Sequence, residues 1–281
     1  MRSLSGMYAQ AYLCRLFEVP RSTVRYVLTP SVQKDLLALK ATIQVELLRC
    51  RGYGCGRMFK HLKRIGLQTS RNDVRQAYLE MGLLKRVRRL RARTTDSRHD
   101  EPRYPNLLKG TVVNFPDLIW SGDVTYLRVE HRFAYLALLM DIFTREILGF
   151  HVSFGYGPDT TLAALNMALA TGRSPLIHHS DQGAHYAAKL YVRELQIRGV
   201  QLSMAAVGKP KENPFSERLN RTIKEEEIWL SEYQDLNQAQ EGISSFVERY
   251  NNERLHMSLK NLTPKEVWNL WNQQKGGESS P

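Results

Sequence analysis

Residues 117–153 read DLIWSGDVTYLRVEHRFAYLALLMDIFTREILGFHVS, and this stretch decides the fold class. It is rich in isoleucine, leucine, valine, tyrosine and phenylalanine, and its turn positions fall near His131 and Thr144. The pattern predicts three consecutive strands, which cover Asp117–Leu127, Phe133–Phe143 and Glu146–Ser153.

Downstream, segments with helical spacing alternate with short apolar runs. The predicted order is helix, strand, helix, strand and long helix, over Thr160–Ala170, Pro175–His179, Tyr186–Gly199, Val200–Met204 and Glu212–Leu230. Three strands followed by this order are typical of the ribonuclease H-like fold, an α/β core with a mixed five-stranded sheet and helices. Residues 205–211, AAVGKPK, carry glycine and no predicted element, so we expect a mobile loop there.

The charge of the chain is unevenly distributed. Within a net charge of +12, residues 1–110 carry 23 Lys/Arg against 8 Asp/Glu, whereas residues 111–281 carry 17 against 20. A basic half of this kind can neutralise nucleic-acid phosphates without reading sequence. The densest part is a basic arm, Lys85–Arg98, whose alternative interpretation is a solvated linker. The predicted DNA contacts of the arm are Lys85, Arg86, Arg88, Arg89, Arg91 and Arg93.

Short helices precede and follow the α/β core. They are predicted over Ala11–Phe17, Arg21–Val27, Ser31–Leu48, Arg57–Ile65, Arg71–Met81, Leu236–Tyr250 and Thr263–Gln273. Ser70, with Asp73 three residues later, resembles a capping box. Short helices with basic outer faces favour helix-turn-helix modules over a plain helical bundle.

The chain therefore divides into five predicted parts. They are a helix-turn-helix fragment over 1–30, a helical DNA-binding domain with the basic arm over 31–98, a linker over 99–111, the α/β core over 112–231 and a C-terminal helical extension over 232–281. No window approaches 18 apolar residues, and the N-terminus lacks the pattern of a secretory signal. Three cysteines do not suggest a disulfide framework, so we expect a reducing, cytoplasmic location in a bacterium.

Three acidic residues occupy informative positions. Asp123 lies within the first predicted strand, where a buried carboxylate is costly unless it is paired or bound to a metal. Asp181 directly follows the fourth strand, and active sites of α/β folds collect at such strand ends. Glu217 lies on the long helix, with 35 residues between it and Asp181 and 57 between Asp181 and Asp123.

Four motifs in this order resemble the DDE transposases of bacterial insertion sequences, the group built from two overlapping reading frames with a core similar to retroviral integrase. The motifs are W-x-x-D-x-T-Y at Trp120–Tyr126, H-S-D-x-G-x-x-Y at His179–Tyr186, Asn213-x-x-x-Glu217 with Lys224 and Glu226 following, and Y-N-x-x-R-x-H at Tyr250–His256. Gly52-Tyr53-Gly54 resembles the family's segment before the core. Glu212 and Pro214 depart from the usual Asp and Ala, and neither change touches the three carboxylates.

The resemblance implies a transposase that cuts the terminal repeats of its element and joins the freed 3′-hydroxyl to target DNA. Asp123, Asp181 and Glu217 are the implied catalytic and metal-binding residues, with Mg²⁺ or Mn²⁺ as cofactor. Two divalent cations about 3.5–4 Å apart neutralise the phosphodiester and align attacker and leaving group. We assign Asp123 as the ligand that bridges both cations. The resemblance also implies a dimer or higher oligomer on paired ends.

Several other residues match the family or suggest a site. Arg221 and Lys224 lie four and seven residues beyond Glu217, and we predict DNA contacts from both. The alternative for them is a solvated helix face with Glu225 and Glu226 as partners. Arg254 and His256 pack the C-terminal helices or bind DNA, and the sequence leaves this open.

Four further features favour structural interpretations. His178 and His179 are expected to be buried, and His179 could hydrogen-bond near the metals. Asp141 is expected to make a structural hydrogen bond, and Asp159 to cap a helix. Cys50, Cys55 and His61 form a poor zinc pattern.

Two other functions stay open. A DNA-binding regulator or truncated inhibitor would bind ends without cutting, because the family's full protein carries an extra N-terminal DNA-binding and coiled-coil segment, and this chain has no long heptad run. A partner from the upstream reading frame would then supply that segment. A nuclease acting on RNA–DNA hybrids is the third candidate, and the helix-turn-helix array argues against it.

Overall fold

The computed structural model describes residues 10–16, 36–84, 102–206, 209 and 212–277. The predicted helix Arg21–Val27, the basic arm with its six predicted DNA contacts, and residues 207, 208, 210 and 211 of the predicted loop 205–211 lie outside the described residues. Within the described part, no helix has the length and apolar character that a membrane span requires.

A mixed five-stranded sheet forms the centre of the molecule, as predicted. Its strands are β1 (Ile119–Val129), β2 (Arg132–Asp141), β3 (Ile147–Ser153), β4 (Ile177–Ser180) and β5 (Gln201–Met204). They lie in the order β3-β2-β1-β4-β5. Strand β2 is antiparallel to both β1 and β3, because two short turns connect these three strands. Strand β4 is parallel to β1, and β5 is parallel to β4.

Ten α-helices lie in the described residues. They are α1 (Gln10–Leu16), α2 (Leu37–Arg49), α3 (Cys55–Arg64), α4 (Arg71–Glu80), α5 (Pro158–Leu169), α6 (Ala184–Ala187), α7 (Lys189–Gln196), α8 (Pro214–Glu226), α9 (Leu236–Asn252) and α10 (Pro264–Gly277). Helices α2–α4 enclose an apolar core of their own, which includes Ile43, Met58, Leu62 and Tyr78. We refer to residues 36–84 as the helical module.

Helices cover both faces of the sheet. On one face, α5 and α7 pack against Trp120 and its neighbours. On the other face, α8 and α9 share an apolar cluster with β1, β2 and β3. Helix α9, from the predicted C-terminal extension, therefore contributes to the same core as the sheet.

Two predicted helices of the α/β core differ from the structure. The predicted helix Tyr186–Gly199 is two helices, because the backbone of Ala188 is extended (φ −61°, ψ 137°). The predicted helix Glu212–Leu230 is the shorter α8, which ends before Glu227 (φ −138°, ψ −66°). The buried Glu227 carboxylate accepts hydrogen bonds from Ser231, Tyr233 and Arg249, and these contacts hold its backbone outside the helix.

The prediction that Asp159 caps a helix is wrong. Helix α5 begins at Pro158, its capping position is Gly157, and no side chain caps it. Proline is favoured at the first helical position because it has no N–H to satisfy, and this places Asp159 inside the first turn. The predicted cap at Ser70 is confirmed, since its side chain accepts a hydrogen bond from the backbone N–H of Asp73 (3.1 Å).

Candidate active site

The middle of β1 holds Asp123 with both carboxylate oxygens engaged. Oδ1 accepts a hydrogen bond from the backbone N–H of Val124 (2.9 Å), and Oδ2 accepts one from the Nδ2 amide of Asn220 (2.8 Å). Burial, followed by the negative charges of the neighbouring Asp181 and Glu217 carboxylates, raises the pKa of Asp123 to about 8. The three predicted carboxylates therefore share one electrostatic environment.

Strand register brings Asp181 to the level of Asp123. Strands β1 and β4 are parallel, with Ser121 paired to His179, and each aspartate lies two residues farther along its chain. The carboxylate of Asp181 accepts a hydrogen bond from the backbone N–H of Gly183 (3.0 Å). A Cβ atom at Gly183 would lie 2.4 Å from the ring of His185, so this turn requires glycine.

The first turn of α8 is tied to β1 next to Asp123. The amide of Asn213 accepts a hydrogen bond from Ser121 Oγ (2.7 Å) and donates one to the carbonyl oxygen of Gly122 (3.3 Å). The carbonyl oxygen of Asn213 then accepts from the backbone N–H of Glu217 (3.2 Å). Asn213 thus positions Glu217 beside the strand that carries Asp123, and partial burial raises the pKa of Glu217.

The three carboxylates are suited to hard divalent cations. Carboxylate oxygens are the ligands that Mg²⁺ and Mn²⁺ prefer, and a cation would offset the cost of holding Asp123 ionised in this environment. Among the described residues, three potential ligand atoms lie within 4.8 Å of one another at Glu46, Cys50 and His61, and not at this triad. The three carboxylates therefore lie farther apart than in a site where all three coordinate one ion. Cys55, part of the weak zinc pattern in the sequence, is not in the Glu46 group.

Asn220 is a site residue that the sequence interpretation missed. It lies three residues after Glu217, on the same face of α8, and its amide donates to Asp123. Its Oδ1 atom is buried and has no hydrogen-bond partner in the described structure. The helical spacing from Glu217 is the signal by which it could have been found.

Tyr186, the last residue of its motif, also borders the site. Its hydroxyl group is buried without a hydrogen-bond partner in the described part of the chain, and a Cβ atom at Gly122 would lie 3.2 Å from it. Burial raises the pKa of Tyr186 well above its usual value, so the hydroxyl stays protonated. Gly122 leaves room for this ring beside Asp123.

The two basic residues predicted on α8 differ in their surroundings. Lys224 is half-buried, with Nζ 4.3 Å from the ring centroid of Tyr126. Burial lowers the pKa of Lys224, whereas the charge of Asp123 raises it. Arg221 is exposed and pairs with Glu225 (2.9 Å), as the solvated-face alternative expects. Lys224 therefore faces the site, and Arg221 faces solvent.

The histidines are structural, as expected. Burial lowers the pKa of His178 to about 3, and its Nε2 accepts a hydrogen bond from the Tyr191 hydroxyl (2.9 Å). His179 Nδ1 lies 2.8 Å from Ser203 Oγ, and its Nε2 donates to the carbonyl oxygen of Glu212 (3.1 Å). Both nitrogens of His179 are thus occupied by protein groups, which leaves neither available to a metal.

The carboxylates of Asp141 and Glu212 accept hydrogen bonds from neighbouring loops. Asp141 accepts hydrogen bonds from the backbone N–H of Asp117 (3.1 Å) and from the backbone and hydroxyl of Thr144 (2.9 and 2.6 Å), which confirms the predicted structural role. Glu212 accepts from the backbone N–H of Ala206 and from Asn106 (both 2.9 Å). The substitution of Glu for the family's usual Asp therefore keeps an acidic anchor at the start of α8.

Comparison with known proteins places this chain in a family. Family models described as "Integrase core domain" match residues 114–210 and 198–264. The uncharacterized 31 kDa protein of insertion element IS600 from Shigella sonnei is 32% identical over 90% of this chain and 96% of its own length. The transposase of insertion sequence element IS629, also from Shigella sonnei, is 30% identical over 76% of this chain and 73% of its own.

A further relative and one solved structure are also similar to this chain. The transposase of IS904 from Lactococcus lactis is 28% identical over 76% of this chain and 86% of its own. The magnesium-bound catalytic core domain of HTLV-2 integrase is 17% identical, with a TM-score of 0.43 over 54% of this chain and 96% of that chain. On the strength of its relatives over most of their length, this chain belongs to the insertion-sequence transposases with an integrase core domain, enzymes that cleave DNA strands and join them to new sites.

Proposed function

We propose that this transposase binds the terminal repeats of its own mobile element and processes them at a site formed by Asp123, Asp181 and Glu217. The observation that carries this proposal is the raised pKa of Asp123, about 8, in the company of two further carboxylates. A carboxylate with a raised pKa beside two further carboxylates is costly to keep ionised, and perturbed groups of this kind concentrate at functional sites. A bound divalent cation would offset that cost.

Two Mg²⁺ or Mn²⁺ ions are the proposed cofactor, and Asp123, Asp181 and Glu217 would hold them. When bound, such a pair neutralises the phosphodiester and stabilises the attacking and leaving oxygens. Asn220 holds the Asp123 carboxylate in one orientation through its amide hydrogen bond. Lys224, on the same helix, supplies a positive charge beside the site for a DNA phosphate.

The basic N-terminal half is the proposed DNA-binding part. Residues 1–110 carry 23 Lys/Arg against 8 Asp/Glu, which favours contact with phosphates. The proposed contacts include the basic arm, Arg221 and Lys224. Because two ends of an element must be processed together, we propose at least a dimer on paired ends. A partner encoded by the upstream reading frame is the alternative source of end recognition.

Strand transfer of a pre-cut end tests the proposal. An oligonucleotide carrying the end of the element is incubated with plasmid and Mg²⁺ or Mn²⁺, and the native chain is compared with Glu217→Gln. This change keeps the size of the side chain and removes its charge. We expect joined product from the native chain and none from the variant. Equal product from both would remove Glu217 from the site.

Two controls separate the alternatives. Glu225→Gln, a change at a half-buried neighbour on α8 that pairs with Arg221, is expected to keep strand transfer at the native level. No product from any variant, with end DNA still bound, would favour the regulator interpretation. Product that appears after an upstream segment is added would assign end recognition to that segment.

A further inference from the structure

The far end of the catalytic helix α8 is held by a buried ion cluster. Glu226, nine residues after Glu217, is 8% exposed. Arg254 binds its carboxylate with two hydrogen bonds, Nε to Oε2 (2.7 Å) and Nη2 to Oε1 (2.8 Å). Arg57 donates a third from Nη1 to Oε1 (3.0 Å). Arg57 belongs to the helical module and Arg254 to the segment after α9, so one carboxylate joins three parts of the chain.

The backbone of the helical module packs directly on this carboxylate. Gly52 has a positive φ of 75°, and a Cβ atom there would lie 2.7 Å from Cγ of Glu226. The next residue, Tyr53, accepts a hydrogen bond at its hydroxyl oxygen from the backbone N–H of Leu255 (3.0 Å). The turn before α3 is thus fitted to the end of α8 by shape as well as by charge.

The environment of the cluster is largely buried and strongly charged. Burial and the nearby Arg254 lower the pKa of Arg57. Burial also lowers the pKa of His256 to about 2, so His256 is neutral and can accept a hydrogen bond from Arg254 Nη1 (3.2 Å to Nε2). Arg254 and His256 therefore make their contacts within this cluster. The Y-N-x-x-R-x-H motif is thus explained by packing and not by contact with DNA.

Helical geometry links the position of Glu226 to the position of Glu217 in the active site. At about 100° per residue, nine positions turn the helix by about 900°, so Glu226 lies on the face opposite Glu217. Asn213 fixes the first turn of α8 against β1, and Glu226 fixes its last turn. Two anchors at opposite ends and on opposite faces set both the rotation and the axial position of the helix.

We propose that Arg57, through Glu226, is a positioning residue that couples the helical module to the rotation of α8, and thereby to Glu217 and Asn220. The helical module is then needed for the full rate of strand transfer, apart from any role in binding DNA. This inference rests on the proposed function of Glu217. Displacement of catalytic groups by about 1 Å can lower a rate by about 100-fold, so a small rotation of α8 is sufficient.

The test compares three variants of the full chain. Arg57→Met removes the charge at similar length, Arg57→Lys keeps the charge, and Glu253→Gln breaks the exposed Arg49–Glu253 pair (3.0 Å) across the same interface. Each is measured for affinity for end DNA, for the rate of strand transfer at saturating end DNA, and for the Mg²⁺ concentration that gives half the maximal rate. Circular dichroism confirms that each variant is folded at the assay temperature.

We expect Arg57→Met to lower the saturated rate at least tenfold and to raise the half-maximal Mg²⁺ concentration severalfold, while affinity for end DNA changes less than threefold. Arg57→Lys should recover part of the loss, and Glu253→Gln should match the native chain. A merely structural role would reduce the folded fraction without moving the half-maximal Mg²⁺ concentration. A saturated rate within twofold of native in Arg57→Met, with unchanged Mg²⁺ dependence, overturns the proposal.

Two further comparisons ensure that the experiment can reject the proposal. If Arg57→Met does not fold, Arg57→Lys alone decides, because a planar guanidinium in contact with a shared carboxylate is not replaced by an ammonium group, and at least a threefold loss of rate is expected. Glu217→Gln is assayed in parallel. If that variant stays active, the proposed function fails, whereas an inactive Glu217→Gln beside a native-like Arg57 variant rejects the coupling alone.

Discussion

Asp123 and Asn220 illustrate how single residues set the chemistry of the site. One carboxylate oxygen of Asp123 accepts a backbone N–H, and the other accepts the Asn220 amide, so the carboxylate has one orientation. The two residues come from a strand and a helix that are 97 positions apart in the chain. Their contact is therefore a property of the folded site.

Removal of the Asn220 amide is expected to slow strand transfer. In Asn220→Ala, Asp123 loses its only side-chain donor among the described residues, and a hydrogen bond to a charged group contributes roughly 1.5–3 kcal/mol. We expect a fall of about 10- to 100-fold in the saturated rate, with little change in affinity for end DNA. Unchanged kinetics would mean that Asp123 keeps its orientation without Asn220.

The raised pKa of Asp123 also predicts how protein stability and metal binding depend on pH. Its pKa in the folded protein, about 8, exceeds the ordinary value of 3.8, so folding favours the protonated form. The stabilisation is complete below about pH 4 and is lost as pH rises through about 8 in protein freed of metal. Because metal binding requires the ionised carboxylate, Mg²⁺ affinity should increase over the same range.

The measurement is the melting temperature with EDTA and with Mg²⁺ between about pH 6 and pH 8. We expect the EDTA value to fall with pH and the Mg²⁺-induced increase to grow. Asp123→Asn should flatten both trends because it cannot ionise. A native chain whose Mg²⁺ response is independent of pH would contradict the raised pKa of Asp123.

At the scale of elements, close backbone contact decides how α5 lies on the sheet. A Cβ atom at Gly149 of β3 would lie 2.1 Å from the carbonyl oxygen of Ala164 in α5. The obstacle is backbone and cannot move aside as a flexible side chain would. The absence of a side chain at Gly149 therefore allows helix and strand to touch.

Gly149→Ala is expected to destabilise the core by about 3 kcal/mol, at the upper end of the cost of overpacking. Urea denaturation measures the change in the free energy of unfolding. Gly155→Ala is a matched control, because its Cβ would meet Ser153 Oγ at an ordinary 3.6 Å. Equal stability of the two variants would show that α5 shifts from the sheet without cost.

At the scale of the whole molecule, the helical module and the α/β core form one connected structure. Tyr53 is central to the junction, since its hydroxyl accepts from the backbone of Leu255 while its own carbonyl oxygen accepts from the Tyr78 hydroxyl (2.9 Å). Exposed ion pairs such as Arg49–Glu253 surround this buried junction.

Tyr53→Phe should weaken the junction while leaving the module's own core intact. The buried N–H of Leu255 loses its acceptor, which costs roughly 1–3 kcal/mol. We expect faster hydrogen exchange at the Leu255 amide and a lower melting temperature. Glu253→Gln should change the free energy of unfolding by about 0–1 kcal/mol, because exposed pairs contribute little. If exchange at Leu255 is unchanged, the hydroxyl does not hold the junction.

Much of the fold, and the three carboxylates of the candidate site, could be predicted from local patterns. Strand composition and the alternation of helices and strands indicated the five-stranded sheet, because the period of apolar residues follows which face is buried. The spacing of Asp123, Asp181 and Glu217 indicated an active site of a known family. Helix ends were less accurate, as at Glu227 and Ala188, because buried contacts from distant segments determine where those helices stop.

The sequence by itself determined the order of elements, the charge asymmetry and the family. Only the tertiary structure decided which residues meet: Asn220 with Asp123, Asn213 with β1, and Arg57 with Glu226. The physical reason is the separation along the chain over which each interaction acts. Periodicity and turn chemistry act over a few neighbouring residues, whereas a hydrogen bond between positions 57 and 226 exists only after the chain has folded and excluded water around both groups.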